Sequence, residues 1–156
     1  MNYRITGTGS CIPDITKKNS DFLNNKFLDR DGSDIQSSNP EIIEKFKSIT
    51  GITERRYASD EINCSDLAVD AARSAIIDSK IDQETLDYII VAHNAGDISC
   101  NSGQVDTLPS IASKVKAGLK IKNPNCVAYD IICGCPGWVE GMIQAKSFIK
   151  SGVASK

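Results

Sequence analysis

Apolar residues fall at helical spacing in four stretches of the chain and in unbroken runs in two others, and this pattern predicts its elements. The first helix follows Asn39-Pro40, where Ile42, Ile43, Phe46 and Ile49 share one side. The second takes Ser65 as its cap and sets Asp66 against the helix dipole. Its stripe of Leu67, Ala68, Ala71, Ala72, Ala75 and Ile76 is small enough for close packing on a sheet. The third helix spans residues 108–121. The fourth spans 138–152, with Trp138, Met142, Ala145 and Ile149 along one stripe and Val139, Ile143 and Phe148 beside it. The two unbroken runs, YIIVAH (88–93) and NCVAYDII (125–132), predict strands buried on both faces. A further short strand is expected over residues 3–6, running into a Gly-rich turn closed by Pro13.

The polar stretches predict the connections. Residues 15–39 are turn-rich, with NN, DRDG and SSNP, and hold one short candidate helix at 20–26; this is surface. TGITERRYAS reads as a turn and irregular chain, and residues 94–107 as a loop in which Asp97 and Asp106 are solvated. Gly7-Thr8-Gly9 follows a strand but lacks the third glycine that would open a helix, so it is no dinucleotide loop. The order is strand, long excursion, helix, strand, helix, strand, helix. Alternation of this kind implies an α/β fold with a mostly parallel sheet flanked by helices. The chain stops at SGVASK, where the rhythm predicts another strand, and a helix without its following strand suggests a part of a longer protein.

Composition narrows the function classes. The 156 residues are 40% hydrophobic and 24% charged with a net charge of −2, as in an ordinary globular domain with a real core. A mildly acidic chain without a Lys/Arg block or interleaved aromatics excludes nucleic acid as the expected partner. No apolar run approaches the roughly 20 residues of a membrane span, and the opening residues have no basic and apolar leader. The protein is expected to be cytoplasmic, with no membrane partner.

Six cysteines in a cytosolic chain read as reduced thiols, mostly small buried hydrophobes. Cys133 and Cys135 stand apart, because DIICGCPGWVEG places them in a Gly/Pro turn between an apolar strand and a helix. A metal clip lacks the paired spacing of zinc sites, and the single histidine, His93, is distant in sequence and reads as structural. Inert packing and a presented nucleophile stay open. The nucleophile has a physical case, because a helix N-terminus stabilises a thiolate and its unpaired N–H groups can hold an oxyanion. Cys135, next to Pro136 and deeper in the turn, is favoured over Cys133. A Cys133–Cys135 redox pair would be strained at this spacing. Trp138 could line a substrate tunnel, but its stripe with Met142 makes core packing the favoured role. Arg55 and Arg56 could bind a phosphate, or pair with Glu54 or Asp60 and be solvated.

YDIICGCPGW followed by an amphipathic helix ending in IKSG resembles the nucleophile segment of β-ketoacyl-acyl-carrier-protein synthase III. ITGTGSCIP, TGITERRYA, LDYIIVA and LPSIASKVKAGLKI resemble other segments of that family in the same order, so the likeness runs through nearly the whole chain. It implies the N-terminal half, residues 1–156, of a thiolase-like fold that usually dimerises, with the C-terminal half and its catalytic histidine and asparagine absent. It implies that Cys135 takes an acyl group from a thioester of acyl-carrier protein or coenzyme A. The carbanion from malonyl-acyl-carrier protein then attacks that group, in fatty-acid or related lipid or polyketide synthesis. The N–H of Cys135 would serve as an oxyanion donor, and no cofactor is needed. Arg55, Arg56 and Trp138 are the expected substrate contacts, and this chain alone is expected to be inactive. Ile49 and Lys45 stand where many members carry the arginine and tryptophan that hold the adenine of coenzyme A, which turns the expected donor towards acyl-carrier protein or another thioester. The alternative reading is a non-catalytic α/β module that binds a partner or an acyl carrier.

Overall fold

A computed structural model describes residues 3–100 and 102–156; Met1 and Asn2 of the opening segment and Asn101 of the 94–107 loop lie outside the described residues. The chain divides into two compact units, one running up to Ile12 and resuming over Asp60–Lys156, the other comprising Pro13–Ser59.

The second of these contains the stretch expected to be surface turns, and it has a small structure of its own. Strand β1 (Ile15–Lys18) pairs antiparallel with β2 (Glu54–Tyr57), with Ile15 opposite Tyr57 and Lys18 opposite Glu54. The segment read as irregular is therefore a strand. The candidate helix at 20–26 is reduced to one 3-10 turn, Asn19–Phe22. Helix α1 (Asn39–Thr50) forms as expected. Ser38 starts it and Glu41 accepts the Ser38 N–H at 2.9 Å, while Gly51 ends it in the left-handed conformation at φ 70°. Ile42 is its buried residue, and Phe46 meets Phe27 at a ring distance of 6.2 Å.

The larger unit holds the α/β architecture. Strands β3 (Tyr88–His93) and β6 (Val127–Ile132) pair in parallel from Tyr88 opposite Val127 to His93 opposite Ile132. Helices α2 (Cys64–Ser79), α3 (Ile111–Gly118) and α4 (Gly137–Ser151) flank them. The pleat divides β3 between two environments. Ile89 and Val91 pack with α3 and with Ala68, Val69, Ala72 and Ile76 of α2, around the buried cluster Ile111, Val115, Leu119, Ile121 and Cys126. Tyr88, Ile90 and Ala92 look the other way, onto an open groove beneath α4. Both strands are half-buried rather than buried on both faces, because only the α3 face is closed.

Further expectations are corrected here. Residues 3–6 form no strand, since no ladder partner lies beside them among the described residues. They lead instead into chain laid on α2, where a Cβ on Gly9 would land on the carbonyl of Ala71 and the amide of Ala75. Thr8 N–H adds a 2.8 Å bond to Asp78. Helix α2 starts from Asn63, whose N–H meets Asp66 at 2.9 Å, and not from Ser65. Ser65 is buried in the first turn because it has another role. Its N–H and hydroxyl both donate to Asp97, at 2.8 and 2.7 Å.

Asp97, expected to be solvated, is 4% exposed. It begins β4 (Asp97–Ile98), which pairs with β5 (Val105–Asp106) inside the expected loop. Lys114 of α3 reaches Asp97 at 2.9 Å and Asp106 at 2.7 Å, so one ammonium ties this small ribbon to α3.

Candidate active site

Strand β6 delivers the chain to the turn Cys133–Pro136, from which α4 departs. Pro136 is the cap residue of α4, and its carbonyl accepts the N–H of Glu140 at 3.1 Å. Gly137 opens the helix and is buried, because a Cβ there would stand 3.2 Å from the Cβ of Ala92 on β3. A side chain there would crowd Ala92 and require α4 or β3 to give by a few tenths of an ångström. Cys133 is half-buried, and its N–H reaches the carbonyl of His93 at 3.4 Å. Cys135 is exposed and stands immediately before the helix cap. Its N–H has no acceptor among the described residues. An exposed thiol, an uncommitted N–H and the positive end of a 15-residue helix therefore occupy one turn.

All six cysteines are free, and three have surroundings that disfavour the thiolate. Desolvation, then the charges of Asp97 and Asp130, push the thiol of Cys64 up. Burial does the same to Cys126, and a hydrogen bond to Asp60 to Cys100.

Trp138, in the first turn of α4, is 69% exposed. Core packing within this chain is therefore not its role. It borders the groove of about 280 Å³ between β3 and α4, together with Ile90, Ala92, Met142 and Ile149. Cys135 and Trp138 lie three residues apart at the head of one helix. Arg55 and Arg56 belong to the other unit. Arg55 donates to the side-chain oxygen of Asn19 at 2.9 Å and lies 4.9 Å from the ring centre of Phe22, so its partners are an amide and an aromatic face, not an acid. Arg56 is exposed, opposite Thr16.

Sequence reasoning passed over one polar constellation beside the turn. His93 closes β3, and its Nε2 lies 2.8 Å from Asp130 Oδ2 on β6. Its Nδ1 accepts the Gly96 N–H at 2.9 Å. An accepting Nδ1 leaves the ring proton on Nε2, which donates to the carboxylate. Asp130 also accepts the N–H groups of Ile111 and Ala112, each at 2.7 Å, and so satisfies the first turn of α3. Both side chains are nearly enclosed, at 6% and 11% exposed. The sequence signal was an acid inside an otherwise apolar strand, which must find donors when half-buried.

No protein-family model matches the chain. Among curated proteins, a β-ketoacyl-acyl-carrier-protein synthase III of Vibrio parahaemolyticus is 35% identical over 153 residues, covering 98% of this chain and 41% of the relative. Among solved structures, 3-oxoacyl-acyl-carrier-protein synthase III from Aquifex aeolicus superposes with a TM-score of 0.73 at 30% identity, covering 98% of this chain and 42% of that one. OleA from Xanthomonas campestris has the same fold, with a TM-score of 0.77 at 24% identity, covering 99% of this chain and 41% of its own. The fold is thus the thiolase-like fold. Over the stretch it spans, the chain is similar in sequence and fold to β-ketoacyl-acyl-carrier-protein synthase III proteins. It spans about two fifths of the length of the curated relatives it matches.

No helix among the described residues is long and apolar enough to cross a membrane.

Proposed function

We propose that this chain is the nucleophile-bearing, N-terminal portion of a β-ketoacyl-acyl-carrier-protein synthase III-type condensing enzyme, with Cys135 as the acyl acceptor. The observation that carries the reading is the placement of Cys135: an exposed thiol, its N–H without an acceptor among the described residues, at the head of α4 in a chain similar to that family. The thiolate of Cys135 attacks an acyl thioester, the new C–S bond forms, and the carrier thiol leaves with a proton. The Cys135 N–H holds the oxyanion. A malonyl thioester then loses CO2, and the resulting carbanion attacks the acyl carbonyl. The new C–C bond releases Cys135 as thiolate and leaves a product two carbons longer.

The primer is a thioester of acyl-carrier protein or coenzyme A and the extender is malonyl-acyl-carrier protein, acting in a cytoplasmic homodimer. Trp138 flanks the acyl path. Arg55 is engaged by Asn19 and Phe22, so the exposed Arg56 is the better candidate for the carrier's phosphate. A histidine and an asparagine for the condensation step would come from the part of the family's length that this chain does not span.

The test is intact-mass spectrometry of the full protein after brief exposure to a series of acyl-carrier-protein and coenzyme A thioesters, with Cys135→Ala beside it. One acyl adduct per chain, lost in the variant, is expected. A folded protein that takes no acyl group from any donor would refute the reading in favour of a non-catalytic carrier-binding module.

A further inference from the structure

We propose that His93 is a positioning residue for the turn that carries Cys135, acting through Asp130; the inference deepens the acyl-acceptor reading of that turn and rests on it. His93 holds β6 and the turn that follows it at one point each. Its carbonyl takes the N–H of Cys133, two residues before the nucleophile, and its ring donates to Asp130, three residues before Cys133. Asp130 is in turn fixed by two N–H groups of α3, so its carboxylate joins β6, α3 and the end of β3 at one enclosed point. The ring's remaining nitrogen is used by Gly96, so the loop that leaves β3 is held by the same side chain. Every polar atom of the imidazole and three acceptor positions on the carboxylate are spent, and the tautomer is fixed. Such a joint restrains the direction in which the Cys133–Pro136 turn leaves the strand, and thereby the place of the Cys135 thiol at the head of α4.

The two ring bonds can be separated by substitution. In His93→Gln the amide nitrogen reaches the place of Nε2 and keeps the donation to Asp130, but the Gly96 acceptor is lost. In His93→Asn the side-chain oxygen keeps the Gly96 bond, while Asp130 loses its donor. Each variant loses one buried hydrogen bond, so similar drops in melting temperature are expected. The alkylation rate of Cys135 by iodoacetamide, followed by peptide mass, is expected to stay within about threefold of wild type in His93→Gln and to fall roughly tenfold in His93→Asn. Equal rates in the two variants, whether both normal or both reduced, would overturn the proposal, because a merely structural histidine moves stability without distinguishing them. If His93→Asn does not fold, 15N NMR of the wild-type ring serves instead: a proton on Nε2 with Nδ1 bare is expected, and a proton on Nδ1 would refute the joint. Alkylation needs no acyl donor. Failure of every thioester to acylate Cys135, with the alkylation pattern intact, would therefore sink the proposed function and leave this inference standing.

Discussion

At the scale of single residues, what was legible in the sequence was what short-range chemistry decides. Cys135 stood out because Gly134, Pro136 and Gly137 form a turn around it, and those residues act within a few positions of themselves. The partners of Arg55 were not legible, because Asn19 lies 36 residues earlier and only the pairing of β1 with β2 brings them together. The glycines of the opening segment were read as turn formers. Gly9 instead allows the chain to touch the α2 backbone, a requirement set by a helix 60 residues away. That contact makes a sharp prediction. In Gly9→Ala the added methyl meets backbone atoms of Ala71 and Ala75, which cannot rotate away. Overpacking of this kind costs about 1–3 kcal/mol, and a urea titration is expected to show a lower midpoint with an unchanged slope. An unaltered midpoint would mean that the opening segment does not rest on α2.

At the scale of elements, the helices and the two parallel strands follow from periodicity, whereas the ribbons do not. β1 is four residues of ITKK and β4 and β5 are two residues each, too short and polar for any period to show. What holds β4 against α2 and α3 is electrostatic, and it was invisible for that reason: Asp97 looks like any loop acid until Ser65 and Lys114 converge on it. Burial works against the charged form of Asp97, but the hydrogen bonds from Lys114 and then Ser65 outweigh it and hold the carboxyl below the ordinary range. Asp106 and then Asp97 raise the ammonium of Lys114 above its ordinary value. The signs follow. A depressed carboxyl contributes stability above its unfolded pKa of about 3.9 and loses it as pH falls through the lower folded value; a raised ammonium contributes below about 10.4 and loses it as pH rises through the higher one. The joint is thus intact across neutral pH. Asp97→Asn is expected to cost about 1–3 kcal/mol at pH 7, since Lys114 and Ser65 lose their charged acceptor. The gap between variant and wild type should narrow as pH falls from about 4 towards the lower folded value, the window over which the stability tied to the depressed carboxyl is lost. Thermal melts from pH 3 to 7 check this, and a gap independent of pH would refute the ion-pair account.

For the whole molecule, the alternation of α2, β3, α3, β6 and α4 was readable, but the distribution of the core was not. Apolar runs such as YIIVAH announce a buried strand without saying how much of each face this chain itself covers. The answer is asymmetric. The α3 side holds the fully buried Ile111 and Val115, at 1% and 2% exposed, while on α4 Val139 and Ile143 are about half exposed and Trp138 more so. Stability of the larger unit should therefore reside on one side of the β3–β6 pair. Ile111→Ala removes a side chain from the closed cluster, and the cavity plus lost transfer energy are expected to cost about 2–5 kcal/mol. Ile143→Ala removes a larger exposed area from a face with little packing and should cost no more than roughly 1 kcal/mol. Urea unfolding of the two variants measures both values. Native-state hydrogen exchange adds an independent reading, with the slowest amides expected in α3 and its neighbouring strands and faster exchange in α4. Equal losses from the two substitutions would show that α4 is as firmly seated as α3. The turn carrying Cys135 would then be held chiefly by its own helix, and less by the strand ends on which the His93–Asp130 joint acts.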